Sequence, residues 1–146
     1  MPLSSSKSKV CFFFQGVNVG LAKRTQLKRY IQSIFKKEGK KLTSINYIFC
    51  TDKVLLGINR QFLAHDFYTD IITFDLSDSD SVQAEVYISI DRIKDNATQL
   101  GISFKSELHR VIFHGVLHLC GYKDKSKEQI HIIRGKEDFY LAEYFK

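Results

Sequence analysis

A chain of 146 residues with 44% apolar and 26% charged side chains has the balance of one globular domain, which excludes wholesale disorder and predicts a single domain over residues 1–146. No apolar run exceeds five residues, the length of Val10–Phe14, so no segment reads as a membrane-spanning helix. The net charge of +6 is uneven: residues 1–41 hold ten Lys/Arg and one acid, and the remaining residues hold twelve Lys/Arg and fifteen acids.

In chain order, Val10–Val17 (VCFFFQGV) is rich in aromatic and β-branched residues and predicts a strand. A helix is predicted over about Asn18–Glu38, with Leu27, Tyr30, Ile31, Ile34 and Phe35 as its apolar stripe and Gly39 as its stop. Ser44–Thr51 predicts a second strand. Thr51 and Asp52 are placed to cap a helix carrying Val54, Leu55, Ile58 and Phe62. Ile71–Leu76 and Val82–Ile90 predict two more strands around the turn Ser77–Asp80. Asp91 is expected to cap a short helix ending near Gly101. Phe104–Cys120 is so broadly apolar that it predicts a buried central helix, with Ser103 as N-cap and Gly121 as left-handed stop. A last helix spans about Lys127–Phe145.

The expected fold is α+β: a small four-stranded mixed sheet with five or six helices. The β-α-β-α-β order favours three parallel strands first, and the short turn before the fourth makes that strand the antiparallel one. The three cysteines include no C-x-x-C pair, so they predict small buried hydrophobes rather than disulfides or a zinc ribbon. The N-terminal stretch is too short in apolar residues for a signal peptide, and cytoplasmic residence is the expectation. The basic N-terminal arm and first helix suggest a polyanionic partner, nucleic acid or an anionic membrane face, with Lys28, Arg29, Lys36 and Lys37 as its candidate contacts.

Chemistry concentrates on the central helix. His114 and His118, four apart, project from one face one turn from each other, so both imidazoles can reach one metal ion. Two satisfied core histidines are the plainer alternative, since buried polar groups need partners whatever their role. The longer string H-x-x-x-H-x-x-G-x-x-D adds a glycine that lets the chain turn back and Asp124 as a third ligand, a metzincin-like, zincin-type arrangement. Three protein ligands leave a coordination position open, as in catalytic zinc sites. Gly115 stands where a metallopeptidase carries its glutamate base, which disfavours peptide hydrolysis. His109 lies about 140° around the helix and cannot share the metal. Glu107 shares the histidine face two turns away, at outer-shell distance. Thr69 and Asp70 read as turn residues, Tyr122 and Lys125 as flanks able to meet substrate, and Glu128 as a distant candidate for proton transfer.

The string HGVLHLCGYKD from His114 to Asp124 resembles the signature H-G-x-L-H-L-x-G-Y-D-H of the YbeY-type rRNA-maturation endoribonucleases. Ile58–Leu63 followed by Thr69–Phe74, and Ala84–Ser89, resemble two further blocks of that family in the same order. The resemblance covers about Val10 to Phe145. It implies a single-strand-specific, zinc-dependent endoribonuclease acting on small-subunit (16S) rRNA, including its 3′ end, and in ribosome quality control. It implies one Zn2+ ion at His114, His118 and Asp124, which also form the catalytic set, with single-stranded rRNA precursor and the small subunit as partners and no membrane. Two departures stand out. The third family histidine falls on Asp124, preceded by Lys123, and a family arginine falls on Leu63, with Arg60 one turn earlier as a substitute RNA contact. The alternatives are a zincin-type metallopeptidase and a non-catalytic RNA-binding ribosome-assembly protein with a structural metal.

Overall fold

The computed structural model describes residues 8–146, so the arm over residues 1–7 lies outside the described residues. Four strands and five helices follow one another: β1 (Val10–Phe14), α1 (Arg24–Lys37), β2 (Lys41–Cys50), α2 (Asp52–Leu63), β3 (Ile71–Asp75), β4 (Ser81–Ser89), α3 (Ile90–Leu100), α4 (Phe104–Leu119) and α5 (Lys127–Tyr144). The strands form one mixed sheet in the order β1-β2-β4-β3, an α+β architecture.

Strand direction differs from expectation in one respect. β1, β2 and β4 are parallel, and the antiparallel strand is β3 rather than β4. The register gives the reason. Ile71 opens β3 opposite Ile88, and Ile88 lies beside Phe49 near the end of β2. α2 and its following loop therefore return the chain to the sheet end it had just left, and β3 must run back. The short hairpin then inserts β4 between β2 and β3, which leaves β3 as an edge.

Boundaries and one cap also differ, and β1 ends at Phe14, three residues short of the expected Val17. Residues 18–23 are not helical, because V-N-V-G-L alternates with period two and lays Val19 and Leu21 into the core, and Lys23 takes a left-handed φ of 54° before α1 starts. β2 begins at Lys41, three residues early, with Leu42 paired to Val82. α3 is capped by Ser89, whose hydroxyl accepts the Arg92 N–H at 3.2 Å; Asp91 instead accepts the Asp52 N–H at 2.8 Å. The expected caps of α2 and α4 form: Thr51 accepts from Val54 N–H and Ser103 from Ser106 N–H.

The core sits between the sheet and α4. Leu108, Val111, Ile112, Phe113, Val116 and Leu117 are each nearly or fully buried, which accounts for the breadth of apolar surface on this helix. Gly115 lets α4 approach the sheet closely: a Cβ there would lie 3.1 Å from Ile71 Cδ1 and 3.4 Å from Val86 Cγ1. Cys50 is buried, Cys11 and Cys120 are half-buried, and all three are free thiols. Among the described residues, no helix is long and apolar enough to cross a membrane.

Candidate metal centre

α4 ends at a tight reversal. Gly121 takes φ 104°, Tyr122 N–H donates to the Leu117 carbonyl at 3.0 Å, and Gly121 N–H donates to the His118 carbonyl at 3.0 Å. This turn carries Asp124 back over the histidine face. The imidazoles of His114 and His118 stand perpendicular, with ring centroids 4.4 Å apart.

Hydrogen bonds fix the tautomer of each ring. His118 Nδ1 lies 2.9 Å from the Tyr122 carbonyl, which only accepts, so Nδ1 carries the proton. His114 Nδ1 lies 2.5 Å from Glu137 Oε2, a carboxylate that likewise takes a proton from the ring. In the neutral rings both Nε2 atoms are therefore bare acceptors. Both face Asp124 Oδ2, at 3.4 Å from His114 and 3.2 Å from His118, and the donor set lies within 4.8 Å throughout. Three acceptors at this separation call for a cation among them. A tetrahedral ion with bonds of about 2.0–2.2 Å holds its ligands roughly 3.3–3.6 Å apart, so His114, His118 and Asp124 can hold a divalent metal.

Behind His114 the site is braced. Glu137, from α5, is fully buried, and Arg110 joins it to Glu107: Nη1 donates to Glu137 Oε1 at 3.0 Å and Nη2 to Glu107 Oε2 at 2.5 Å. Burial pushes the Glu137 carboxyl up, but His114 and Arg110 outweigh it and hold the group below the ordinary carboxylate range. Burial works against the Arg110 charge, and the two carboxylates more than compensate. Asn96 of α3 donates to Glu107 Oε2 and to Asp70 Oδ2, tying the brace to the start of β3.

In front of the three donors opens a cavity of about 630 Å³, walled by β3, by the segment after α2 and by Lys125. Asp70 lines it, and burial raises its carboxyl against the pull of Arg110 and His114. Leu63 lines it as well, half-exposed, where the family resemblance places an arginine. Arg60 does not line it; its guanidinium pairs with Asp66 at the surface. Tyr122 turns away, donating its hydroxyl to Glu38 at 2.7 Å.

None of the four basic residues of α1 lines the cavity that holds the three donors. Arg29 and Lys36 share a second groove with Lys9, Lys40 and Lys41. Lys28 stands 5.7 Å over the Phe12 ring and Lys37 6.0 Å over Tyr140. His109 is buried against Tyr144, Phe113 and Phe145, away from the metal ligands, and Glu128 is exposed in the first turn of α5. Sequence reasoning passed over Glu137 and Arg110. A signal was present for the first: Ile133, Glu137 and Tyr140 form the buried stripe of α5, and a carboxylate on such a stripe demands a partner.

These features define a class: α+β proteins with two histidines on a buried helix and a carboxylate beside them that could hold a metal ion, next to an open cleft. A family model for endoribonuclease YbeY matches residues 17–145. The Endoribonuclease YbeY of Cytophaga hutchinsonii is 46% identical over 138 residues, which span 93% of this chain and 96% of that protein. The Endoribonuclease YbeY of Porphyromonas gingivalis is 42% identical over 135 residues, covering 92% and 89%. A Thermotoga maritima protein solved in solution superposes with a TM-score of 0.63 at 30% identity, covering 92% of this chain and 89% of its own. The chain belongs to the endoribonuclease YbeY family.

Proposed function

We propose that this protein is a zinc-dependent endoribonuclease specific for single-stranded RNA, acting in 3′-end maturation of small-subunit (16S) rRNA and in ribosome quality control. One observation carries the reading: three possible metal-ligand atoms converge beside an open cleft in a chain of the YbeY family. Zinc held there supplies Lewis-acid charge for the developing negative oxygens of a phosphodiester. Glu137 orients His114, the Tyr122 carbonyl orients His118, and the Gly121 turn delivers Asp124. Of the cavity's carboxylates outside the ligand set, Asp70 and Asp75, Asp70 is the one whose carboxyl burial raises, which suits it to take up or return a proton at the substrate. Lys28, Arg29, Lys36, Lys37 and Arg60 attract the RNA backbone outside the cleft, and the whole chain acts as one unit in the cytoplasm.

Gly115 separates this reading from a metallopeptidase. The base position carries no side chain, and a Cβ there would lie 3.1 Å from the end methyl of Ile71, which would have to give by a few tenths of an ångström. A purely structural metal is less well served by three ligands facing a cavity than by a closed set of four. The test is zinc content of freshly purified protein together with cleavage of single-stranded RNA with and without chelator. Stoichiometric zinc and chelator-sensitive cleavage are expected. Zinc-loaded protein that leaves RNA intact overturns the reading.

A further inference from the structure

The cavity is far larger than one ion requires and falls in the size range of small-molecule sites. One of its walls is residues 64–70, between α2 and β3. This segment holds His65, Phe67 and Tyr68, and all three rings are exposed. Large aromatics bury 150–250 Å² when they can. Here two hydrogen bonds to Asn59 pin the backbone of the segment. Asn59, 1% exposed, donates from Nδ2 to the Phe67 carbonyl at 2.9 Å, and His65 N–H donates to the Asn59 carbonyl at 3.1 Å. The Arg92 guanidinium lies over the Tyr68 ring, 5.5 Å from its centroid. His65 and Phe67 stack on each other, centroids 5.0 Å apart and planes 23° from parallel, and both line the cavity that holds His114, His118 and Asp124.

We propose that Phe67, backed by His65, is the platform on which one base of a single-stranded RNA stacks while a neighbouring phosphate lies at the three metal-ligand side chains. This rests on the endoribonuclease reading above and names the part of the substrate that the cleft grips. Every base offers a π-face, so stacking holds RNA without reading its sequence. Bases in a duplex have both faces covered by their neighbours, so a platform of this kind also selects for unpaired strands. Leu63 extends the wall with an apolar side chain suited to a base rather than to a phosphate. Two near-parallel rings match a planar base, whereas a peptide strand asks for pockets at alternate residues.

The test pairs a ring deletion with a base deletion. Zinc-loaded protein, its Phe67→Ala, Phe67→Trp and Phe62→Ala variants are titrated with short single-stranded 2′-O-methyl oligonucleotides, either complete or carrying one abasic position moved along the chain. Phe62 is the control: it is exposed, packs edge-on against Phe74 and lies outside the cavity. Phe67→Ala is expected to weaken binding of the complete oligonucleotide roughly 5- to 150-fold, the span of one base–aromatic stack. Phe67→Trp should retain binding and Phe62→Ala should change nothing. At one abasic position the parent should lose the same factor, and Phe67→Ala should lose no more. Zinc content should be equal in all four proteins. Unchanged binding in Phe67→Ala, or a full abasic penalty in that variant, overturns the platform while RNA cleavage by the parent still stands. An unstructured peptide that competes in a Phe67-dependent way overturns it in favour of a protein partner. A zinc-loaded parent that neither binds nor cleaves RNA removes the enzyme reading and the platform together.

Discussion

α4 carries two polar clusters on one face, and they are built on opposite terms. Toward its start, Glu107 and Arg110 close a circuit with Glu137 and Asn96 in which every charge is met within 3.3 Å. Toward its end, His114 Nε2 and His118 Nε2 face Asp124 Oδ2 at 3.4 and 3.2 Å, the three atoms that could hold a metal ion. The inner cluster is complete as protein. The outer one is completed only by something added. Glu137 belongs to both, accepting from Arg110 on one side and from His114 on the other. Burial alone does not mark a functional polar group; an unfinished coordination set does.

The largest expected effect breaks the outer cluster. His114→Ala and His118→Ala should each lose bound zinc and RNA cleavage together, to background, because two remaining ligands are too few for a catalytic ion. Full metal stoichiometry in either variant, read by elemental analysis, would sink the ligand assignment.

Breaking the inner cluster should cost folding rather than chemistry. Arg110→Ala strands two buried carboxylates and is expected to destabilise the protein by about 3–5 kcal/mol in denaturant unfolding. Glu137→Gln sharpens the division, since it keeps the volume and removes the charge that orients His114. A drop in zinc affinity of about 10–100-fold is expected there.

Asp124 tests whether the third ligand is part of the outer set. Asp124→His should keep or raise zinc occupancy, and Asp124→Ala should lose it with the fold intact. If both substitutions are silent, changing stability by less than about 0.5 kcal/mol and zinc content not at all, Asp124 is only a surface turn residue.

A smaller, pH-dependent effect lies behind the Gly121 turn. Burial would raise the Glu38 carboxyl, but hydrogen bonds from Tyr140, Tyr122 and Lys136 outweigh it and hold it below the ordinary carboxylate range. A carboxyl lowered by folding adds stability above its unfolded value of about 4.3, and that stability is lost as the pH falls through the lowered folded value. Glu38→Gln should therefore cost roughly 1–3 kcal/mol at neutral pH. Its unfolding midpoint should converge on the parent's in acid; a gap that stays constant with pH contradicts the assignment. The smallest effect concerns α1. Neutralising Lys28, Arg29, Lys36 and Lys37 should flatten the salt dependence of RNA binding, each lost phosphate contact removing roughly 0.7 from the log–log slope. An unchanged slope makes them a solvated face.

The legible parts of this molecule were the local ones. Ser103, the i, i+4 histidines and Gly121 are written within a few turns of one another, so α4 and its ligand string could be read directly. Cooperation between distant segments could not. Glu137 reaches His114 across 23 residues and Arg110 across 27, and no local spacing records either contact. The direction of β3 depended on whether α2 crosses the sheet or stays at one end, a tertiary choice. Residues 18–23 misread because their neighbours, Arg24 onward, form a strong amphipathic helix whose pattern was extended too far upstream.

Gly115 also governs where this scaffold can go by single changes. The end methyl of Ile71 and the branch of Val86 stand 3.1 and 3.4 Å from where a side chain at position 115 would begin. Any larger residue there asks Ile71 to give by a few tenths of an ångström, so a change at position 115 is also a change in how closely α4 sits on β3.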